Sequence, residues 1–430
     1  MKRLWLIVSV LVLAAMLVTA CQPAATPEPT SMPTAAAPSE EPTTPPEPVE
    51  EPTEPSAPEE FTVGVLLVGV KNDRGWSQAH YDATLYVQEK IPGTKFIYLE
   101  NVYSGSPAYT GTTPSQLAEQ LVDQGAQLII FNSDDMKDEA TIFAQNNPDI
   151  PVIMASGDQV WKEGKAYIEI PNMVNIMGRM EYGKMIAGCA AALTTQTGNI
   201  GYLGPLINDE TRRLVASAYL GAKYCWENYA GKDPADLGFK VTWINFWFYI
   251  PGVSSDPTQV ADDFFNSGYD VVISGIDTTE AMTEAKRLSD AGQDVWAIPY
   301  DYKGACDQAP DICLGVPYFN WGPAYVETIQ SAIDGTFTSN FQWNGPDWSD
   351  INNPDTSAVG YVKGPALSEE ASATLDEFIA ELAGGLNLWT GPLNLQDGTV
   401  YLADGEVATD VQIWYLPQLL EGMEGLSVPE

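Results

Sequence analysis

The chain has 430 residues, a formal net charge of −38 and only one histidine, His80. So acidic a chain lacks the basic surface that nucleic acid requires, and it does not hold anionic membrane surfaces or polyanionic substrates tightly. A single histidine provides neither a histidine-ligated metal site nor a histidine pair for acid–base catalysis. The sequence therefore predicts no metal, no cofactor and no nucleic-acid partner.

The first 21 residues have the layout of an export signal. Lys2 and Arg3 precede an apolar stretch, residues 4–18, that is too short to span a membrane. Val18-Thr19-Ala20-Cys21 then places small residues and a cysteine at the cleavage point. The pattern resembles a bacterial lipoprotein signal, in which Cys21 carries the lipid and anchors the protein to the membrane surface. We predict a signal peptide over residues 1–20; an ordinary signal with an incidental Cys21 is the alternative.

Residues 22–60 contain twelve prolines and nine glutamates but no lysine or arginine. This composition buries too little apolar surface to fold, and its prolines favour an extended chain. We interpret residues 21–60 as the lipidated Cys21 and a stalk that holds the folded body away from the membrane. The body, residues 61–430, retains 18 basic and 49 acidic residues, a net charge of −31.

The body alternates short apolar runs with helical patterns in two successive blocks. The first block predicts strands at residues 61–68, 96–99, 127–131, 151–155 and 166–170 and helices at residues 76–89 and 114–124. The second block begins with a helix at 174–193. It continues with strands at 199–203, 241–245, 271–274, 295–299 and 314–316 and with helices at 210–228, 257–266, 279–291 and 368–382. Strands that alternate with helices form parallel sheets covered by helices on both faces. The sequence therefore predicts an α/β protein with two doubly wound lobes.

Four cysteines remain beyond Cys21, and their number suits an oxidising compartment. Cys306 and Cys313 bracket a short loop and are spaced to close it as a disulfide. Cys189 and Cys225 both lie in helical patterns, which leaves their pairing open. The spacings are not those of a zinc site.

Ligands of an open parallel sheet bind beyond the carboxyl ends of its strands, so the residues after each predicted strand are candidate binding groups. These positions are rich in aromatic rings, amides and carboxylates, which stack on a flat ring and hydrogen-bond its edges. The candidates are Asp73, Trp76, Asn132, Asp134, Asn245, Trp247, Asp277, Asp301 and Trp321.

Individual candidates also have structural interpretations. Trp76 and Trp321 suit core anchors at helix starts, since tryptophan is often largely buried. Asp134 suits a helix cap and Asp301 a turn. We expect His80 to be a structural helix residue. The candidates are more convincing as a group, because helix caps need not be flanked by aromatic residues.

Seven short segments carry a family resemblance. They are Gly75-Trp76-Ser77-Gln78-Ala79-His80, Glu100-Asn101-Val102, Ile200-Gly201-Tyr202-Leu203-Gly204, Trp243-Ile244-Asn245-Phe246-Trp247, Asn320-Trp321-Gly322-Pro323, Trp389-Thr390-Gly391-Pro392-Leu393 and Asp397-Gly398. In this order they resemble the basic membrane protein (BMP) family, the substrate-binding lipoproteins of ABC importers. The resemblance covers nearly all of residues 61–430 and is closest to the branch that binds adenine or related purines.

The resemblance implies a type I periplasmic-binding fold, with two lobes joined by a hinge that the chain crosses about three times. The lobes would be residues 61–172 plus about 319–337, and residues 173–318 plus about 338–430. It also implies that Trp76 and Trp247 flank a purine base and that Trp321 lies near a hinge crossing. Asn132 and Asp134 from the first lobe would hydrogen-bond the polar edges of the base, as would Asp277 and Asp301 from the second lobe.

One departure concerns the sugar of a nucleoside. Nucleoside-binding relatives carry a lysine near the last hinge crossing, where this chain has Tyr318-Phe319-Asn320. The ribose-binding group is therefore unaccounted for, and the choice between free base and nucleoside stays open. Phosphate is not expected, because the candidate carboxylates repel it and no phosphate-binding glycine loop follows a strand.

We predict that the protein captures a small molecule, passes it to an ABC permease, works as a monomer and is not an enzyme. Closure of the two lobes on the ligand would form the state that docks on the permease. Two alternatives use the same scaffold. One is a sensing role, in which the closed form contacts a receptor. The other is a nucleoside hydrolase, suggested weakly by the carboxylates of residues 132–138.

Overall fold

A computed structural model of the chain describes residues 60–429. The predicted signal peptide, Cys21 and almost all of the predicted stalk lie outside the described residues. Within residues 60–429, no helix is both long enough and apolar enough to cross a membrane.

The first lobe is built on a parallel sheet with the strand order β11-β5-β4-β3-β1-β2. Its strands are β1 Phe61–Leu66, β2 Thr94–Leu99, β3 Leu128–Phe131, β4 Val152–Ala155, β5 Met173–Gly178 and β11 Phe341–Asn344. Its helices are α1 Trp76–Lys90, α2 Pro114–Asp123, α3 Lys137–Asn146 and α8 Gly322–Ile333. Every residue of β3, β4 and β5 is buried, as expected for strands covered by helices on both faces.

The second lobe is built on a parallel sheet with the strand order β15-β7-β6-β8-β9. Its strands are β6 Asn199–Gly204, β7 Gly238–Trp243, β8 Val271–Ser274, β9 Trp296–Ile298 and β15 Met423–Glu424. Its helices are α4 Met180–Thr194, α5 Asp209–Asn228, α6 Pro257–Asn266, α7 Glu280–Asp290, α9 Glu369–Ala383 and α10 Asp410–Trp414. The two sheets give the α/β architecture that the sequence predicts.

The chain passes between the lobes three times. It leaves the first sheet after β5, and it returns after β10 Gly315–Phe319, which leads into α8. It leaves again after β11 through β12 Val359–Lys363, which pairs antiparallel with β10. The closing segment contains the hairpin strands β13 Leu393–Asn394 and β14 Val400–Leu402 and ends on the edge of the second sheet, where β15 pairs with β7. Three adjacent crossings are the connection that a hinge requires.

The predicted lobe boundaries are wrong at two strands. Residues 173–178 were assigned to the second lobe, with a helix predicted from residue 174, but they form β5 and pair with β4 and β11. A continuous apolar run fits a buried strand and a buried helix equally well, so the pattern did not separate them. Strand β11 also belongs to the first sheet, although residues 338–430 were assigned to the second lobe. Residues 166–170, predicted as a strand, form a loop.

Two disulfides are present in the described residues. Cys189 and Cys225 join α4 to α5, the pairing that the sequence left open. Cys306 and Cys313 close the short loop between β9 and β10. Both bridges lie in the second lobe.

Helices α4 and α5 pack with their backbones in direct contact. A Cβ atom added to Gly188 would lie 1.9 Å from the carbonyl oxygen of Ala218, and one added to Gly221 would lie 2.0 Å from that of Met185. No side chain fits at either position, so the two glycines allow the close approach. This contact fixes α4 beneath the second sheet.

We expect Gly188→Ala to lower the free energy of unfolding by roughly 1–3 kcal/mol, because the added methyl group pushes the helices apart. This loss outweighs the better helix propensity of alanine. Thermal and denaturant unfolding measure the effect. Gly345→Ala is the control, since its Cβ would be no closer than 3.8 Å to its neighbours. Equal stability of the two variants would contradict the account.

Candidate functional site

A cavity lies between the carboxyl ends of the two sheets, the position that the strand order favours for a ligand. The first lobe contributes Trp76, Ser133, Asp134 and Ser156. The second lobe contributes Tyr202, Pro205, Glu210, Thr211, Leu214, Trp247, Gly275, Asp277 and Tyr300. The lining combines aromatic rings with carboxylates and hydroxyls, and it contains no lysine, arginine or histidine.

Trp76 is the aromatic wall of the first lobe. Its indole Nε1 donates to the backbone carbonyl of Asn132 at 2.5 Å, which fixes the ring against the end of β3. Its ring packs edge-on against His80 and Trp321, with centroids 4.9 and 5.3 Å away. Trp321 in turn stacks on His80 at 4.3 Å and is almost fully buried. Trp321 therefore supports Trp76 from behind and does not line the cavity.

Asp73 and Asn132 organise the backbone beside the cavity. The carboxylate of Asp73 accepts the backbone N–H groups of Gly75, Ser77 and Gln78 at 2.9 to 3.0 Å and so fixes the start of α1. Burial raises the pKa of Asp73 to about 6, although these three N–H donors lower it. Asn132 Oδ1 accepts from the backbone N–H of Val68 at 2.8 Å. Neither side chain lines the cavity.

Asp134 joins the two lobes at the edge of the cavity. It forms an ion pair with Lys137 at 3.1 Å and accepts from Nδ2 of Asn208, in the second lobe, at 3.3 Å. The cap of the short helical turn at 134–136 is Ser133, not Asp134. Asp134 is therefore a lining carboxylate that also contacts the opposite lobe.

The second lobe supplies two carboxylates without hydrogen-bond partners among the described residues, Glu210 and Asp277. Glu210 lies in the first turn of α5, which Asn208 and Thr211 start with a capping box. Burial raises its pKa from 4.5 to about 7. Burial also raises the pKa of Asp277 well above its ordinary value, and repulsion from Asp301 adds to the shift. These buried acceptors are available to a ligand that donates hydrogen bonds.

Two hydroxyl groups complete the polar lining. The Oγ of Ser156 and the phenol oxygen of Tyr300 are buried and have no hydrogen-bond partner within residues 60–429. Ser156 directly follows β4 and has a positive φ of 73°, a rare conformation for serine. A hydroxyl both donates and accepts, so these groups can match acceptors as well as donors on a ligand.

Asp301 lies at the base of the second-lobe wall. It follows β9 with a φ of 70°, and its backbone pairs with β10 through Pro317 and Phe319. The side chain is fully buried, and neither carboxylate oxygen has a partner in the described part of the chain. Burial raises the pKa of Asp301 well above its ordinary value, and the attraction of Lys184 opposes that shift. It does not line the cavity.

Of the nine predicted residues, Trp76, Asp134, Trp247 and Asp277 line the cavity. Asp73, Asn132, Asp301 and Trp321 lie behind this lining. Asn245 is exposed and borders a different groove. Its placement at the cavity was wrong, because a positive φ of 71° turns the chain after β7 and only Trp247 reaches the cavity.

The prediction missed Ser133, Ser156, Tyr202, Glu210 and Tyr300. Ser156 directly follows a strand, and Ser133 and Tyr300 lie just beyond strand ends. The rule that residues after strand ends are candidate binding groups therefore applies to these three residues as well as to their neighbours. Glu210 is one turn into a helix and Tyr202 lies within a strand. No local signal in the sequence distinguishes these two from ordinary helix and strand residues.

The two lobes are in contact around the cavity. The backbone N–H of Trp76 donates to the carbonyl of Asp277 at 3.4 Å. Tyr103 packs against Phe246 and Phe248, each with a centroid distance of 5.6 Å. A Cβ atom at Gly75 would lie 1.7 Å from the carbonyl oxygen of Asp277. The arrangement is therefore a closed one, and only glycine fits at position 75.

Within residues 60–429, no group of three or more His, Cys, Asp or Glu side chains is placed to hold a metal ion. Asn132 and Asp134 face different partners, and Asp135 accepts the backbone N–H of Ser104 at 2.7 Å. The carboxylates near residue 132 are thus used in structural contacts.

A family model described as "ABC transporter substrate-binding protein PnrA-like" matches residues 61–353. This chain belongs to the Bmp family. The Bmp chain is 29% identical over 341 residues to a purine-binding protein from Brucella abortus (strain 2308), covering 78% of this chain and 85% of that protein. It is 25% identical over 337 residues to a protein of Haloferax volcanii named as a candidate ABC transporter glucose-binding protein, covering 78% and 76%.

The fold of the Bmp chain is similar to that of a solute-binding protein from an ABC transporter system of Aeropyrum pernix K1. The TM-score is 0.60 at 12% identity, over 78% of this chain and 93% of that one. The protein is thus an ABC transporter substrate-binding protein of an extracytoplasmic family, with a type I periplasmic-binding fold.

We expect Gly75→Ala to open the two lobes, because the new methyl group would overlap the carbonyl of Asp277 in the closed arrangement. Small-angle X-ray scattering is the measurement, and the variant should have the larger radius of gyration. Unfolding temperature should change little, since the clash is relieved when the lobes separate. Equal radii for the variant, the wild type and Gly345→Ala would show that Gly75 does not control the contact.

The buried Glu210 should make stability depend on pH. Its pKa is higher in the folded protein than in the unfolded chain, so the free energy of unfolding falls as pH rises from about 4.5 to about 7. The loss is on the order of 2–3 kcal/mol. We expect denaturation at pH 5 and pH 8, without ligand, to show a smaller difference for Glu210→Gln than for the wild type. Exposed Glu119→Gln is the control, and an unchanged slope in Glu210→Gln would refute the assignment.

Proposed function

We propose that this protein captures a purine base or nucleoside, with an adenine-like ligand favoured, and delivers it to an ABC permease. The observation that carries the proposal is the lining of the interlobe cavity. Trp76 and Trp247 stand on opposite lobes, while Glu210 and Asp277 are buried carboxylates without partners in the described residues.

A purine matches this lining physically. Its flat ring gains free energy by packing on aromatic side chains, and its ring N–H and amino groups donate to carboxylates. Its ring nitrogens accept from hydroxyls such as those of Ser156 and Tyr300. Phosphate does not match, because the lining includes three carboxylates and no cation.

The Brucella abortus relative supports this ligand class, since it is named for purine binding and is similar over most of both chains. We favour an adenine-like ligand, whose exocyclic amino group donates a hydrogen bond to Glu210 or Asp277, over hypoxanthine, which has no amino group.

We infer binding without catalysis. The only histidine of the chain, His80, is buried against Trp321, and its Nδ1 is hydrogen-bonded to the hydroxyl of Tyr325 at 2.7 Å. It is therefore removed from the cavity and unavailable as a general base. We further propose that lipid on Cys21 anchors the protein to the outer side of the cell membrane and that the protein works as a monomer.

A sugar is the second candidate ligand. Aromatic faces next to carboxylates also bind sugars, because a pyranose packs on a ring while its hydroxyls donate to carboxylates. The relative from Haloferax volcanii, named as a candidate glucose-binding protein, makes glucose the appropriate competitor. A purine ring is flat and a pyranose ring is not, and direct binding measurements distinguish the two ligands.

Isothermal titration calorimetry of the purified protein tests the proposal, with adenine, guanine, hypoxanthine, adenosine, inosine, ribose, glucose and a peptide. We expect binding of a purine and a loss of about 2 kcal/mol, roughly 30-fold, in Trp76→Ala and Trp247→Ala. Trp348→Ala is the matched control, since Trp348 packs on Tyr182 away from the cavity.

The pattern of binding discriminates between the candidates. Tighter binding of adenosine than of adenine would assign a nucleoside, and the reverse order would assign a free base. Binding of glucose alone would replace the purine with a sugar. Binding of no purine by a folded protein would refute the purine assignment.

A further inference from the structure

One buried amine lies at the base of the cavity and has no part in the binding scheme above. Lys184 of α4 is fully buried, and its Nζ donates to the backbone carbonyl of Ser274 at 2.8 Å. The same Nζ lies 3.2 Å from the centroid of the Tyr300 ring. Ser274 ends β8, and Tyr300 closely follows β9. One side chain from a helix therefore connects the carboxyl ends of two neighbouring strands.

The contacts of Lys184 are with residues that line the cavity or adjoin its lining. Gly275 directly follows Ser274, and Asp277 lies in the same turn; both line the cavity, as does Tyr300. The ring of Tyr202, a third wall residue, is 5.3 Å from Nζ. Gly275 also packs tightly on Tyr202, since a Cβ there would lie 2.5 Å from the tyrosine ring. A change at Lys184 would therefore be transmitted to four lining residues of the second lobe, Tyr202, Gly275, Asp277 and Tyr300.

Packing alone does not explain a lysine at this position. Burial of an amine carries a large desolvation cost, and an apolar side chain of equal length would fill the space without it. The amine has up to three N–H donors, but within residues 60–429 its one hydrogen-bond acceptor is the Ser274 carbonyl. Burial lowers the pKa of Lys184 well below its ordinary value, and attraction from Asp301 and Glu210 opposes the shift. A group this costly indicates a role in the site.

We propose that Lys184 is a positioning residue for ligand capture, holding the Ser274–Asp277 turn and the Tyr300 ring in the geometry that receives the ligand. This inference rests on the proposed function, because it concerns the same cavity. Lys184 does not touch the ligand. It acts through Tyr300, Tyr202 and the backbone that carries Asp277. A lysine amine carries N–H donors in both its charged and its neutral form, so donation to the Ser274 carbonyl does not depend on the charge of Lys184.

The test compares Lys184→Met with Lys363→Met in the purified protein. Lys363 is partly exposed and forms an ion pair with Asp376 at 2.8 Å, outside the cavity. We expect Lys184→Met to bind adenine at least tenfold more weakly. Its unfolding temperature should be unchanged or higher, because methionine replaces a buried amine with an apolar chain of similar length. Lys363→Met should bind as the wild type does. Wild-type affinity in Lys184→Met would overturn the inference.

A measurement without ligand separates this inference from the choice of ligand. Hydrogen exchange followed by mass spectrometry should show faster exchange at residues 274–277 and 300–302 in Lys184→Met but not in Lys363→Met. If no purine binds and these segments exchange faster, the purine assignment fails and the positioning role stands. If they exchange at the wild-type rate in Lys184→Met, the positioning role fails, whatever the wild type binds.

A double-mutant cycle gives a readout that a purely structural role would not move. If Lys184 acts through the ring of Tyr300, its replacement should cost much less affinity in a Tyr300→Ala background than in the wild type. Equal losses in both backgrounds would show that Lys184 does not act through Tyr300 and would overturn that part of the inference.

Discussion

Both sheets of this protein are parallel and covered by helices, and this constraint determines where chemistry can occur. Strands such as β3, β4 and β5 are buried along their whole length, so their side chains form the core. Many of the polar and aromatic groups that line the cavity therefore come from segments beyond the strand ends, whereas Tyr202 lies within β6 and Glu210 lies in α5. Among the described residues, the non-glycine positions Asn101, Ser156, Asn245 and Asp301 have positive φ and lie just beyond strand ends, and Ser156 lines the cavity. Rare backbone conformations are thus found mostly at the strand ends.

The same constraint explains the electrostatics of the site. Asp277, Asp301 and Glu210 are carried into one desolvated region by the ends of β8 and β9 and the start of α5. Burial is the larger cause of the raised pKa values of Asp277 and Asp301. Repulsion from Asp301 and Glu210 adds to the shift of Asp277, and repulsion from Glu210 adds to that of Asp301. Lys184 brings an amine into this region from helix α4, and its attraction opposes the rise in the pKa of Asp301. A site with surplus acceptors selects a neutral or cationic ligand that donates hydrogen bonds.

The sequence predicted most helices, the strand alternation and four of the lining residues, because each depends on local pattern. It failed where position depends on distant pairing. The apolar run of β5 became a strand because β4 and β11 lie on either side of it, and β11 is more than 160 residues away in the chain. Glu210 and Lys184 are unremarkable helix residues until α4 and α5 pack against the second sheet. Asn245 was selected because it lies at a strand end, but its own left-handed backbone conformation is accompanied by a turn away from the cavity.

Closure of the lobes depends on contacts that exist without a ligand. The N–H of Trp76 meets the carbonyl of Asp277, and Asn208 meets Asp134, so the closed state has its own interlobe hydrogen bonds. These contacts lie beside the cavity, and two of the residues that form them, Trp76 and Asp277, are also proposed ligand contacts. A ligand between Trp76 and Asp277 therefore adds its binding energy to a contact that already favours closure. A ligand shifts the equilibrium between open and closed lobes only by the difference in its affinity for the two states. Because the preformed contact already favours the closed state, the ligand must supply a smaller difference in affinity.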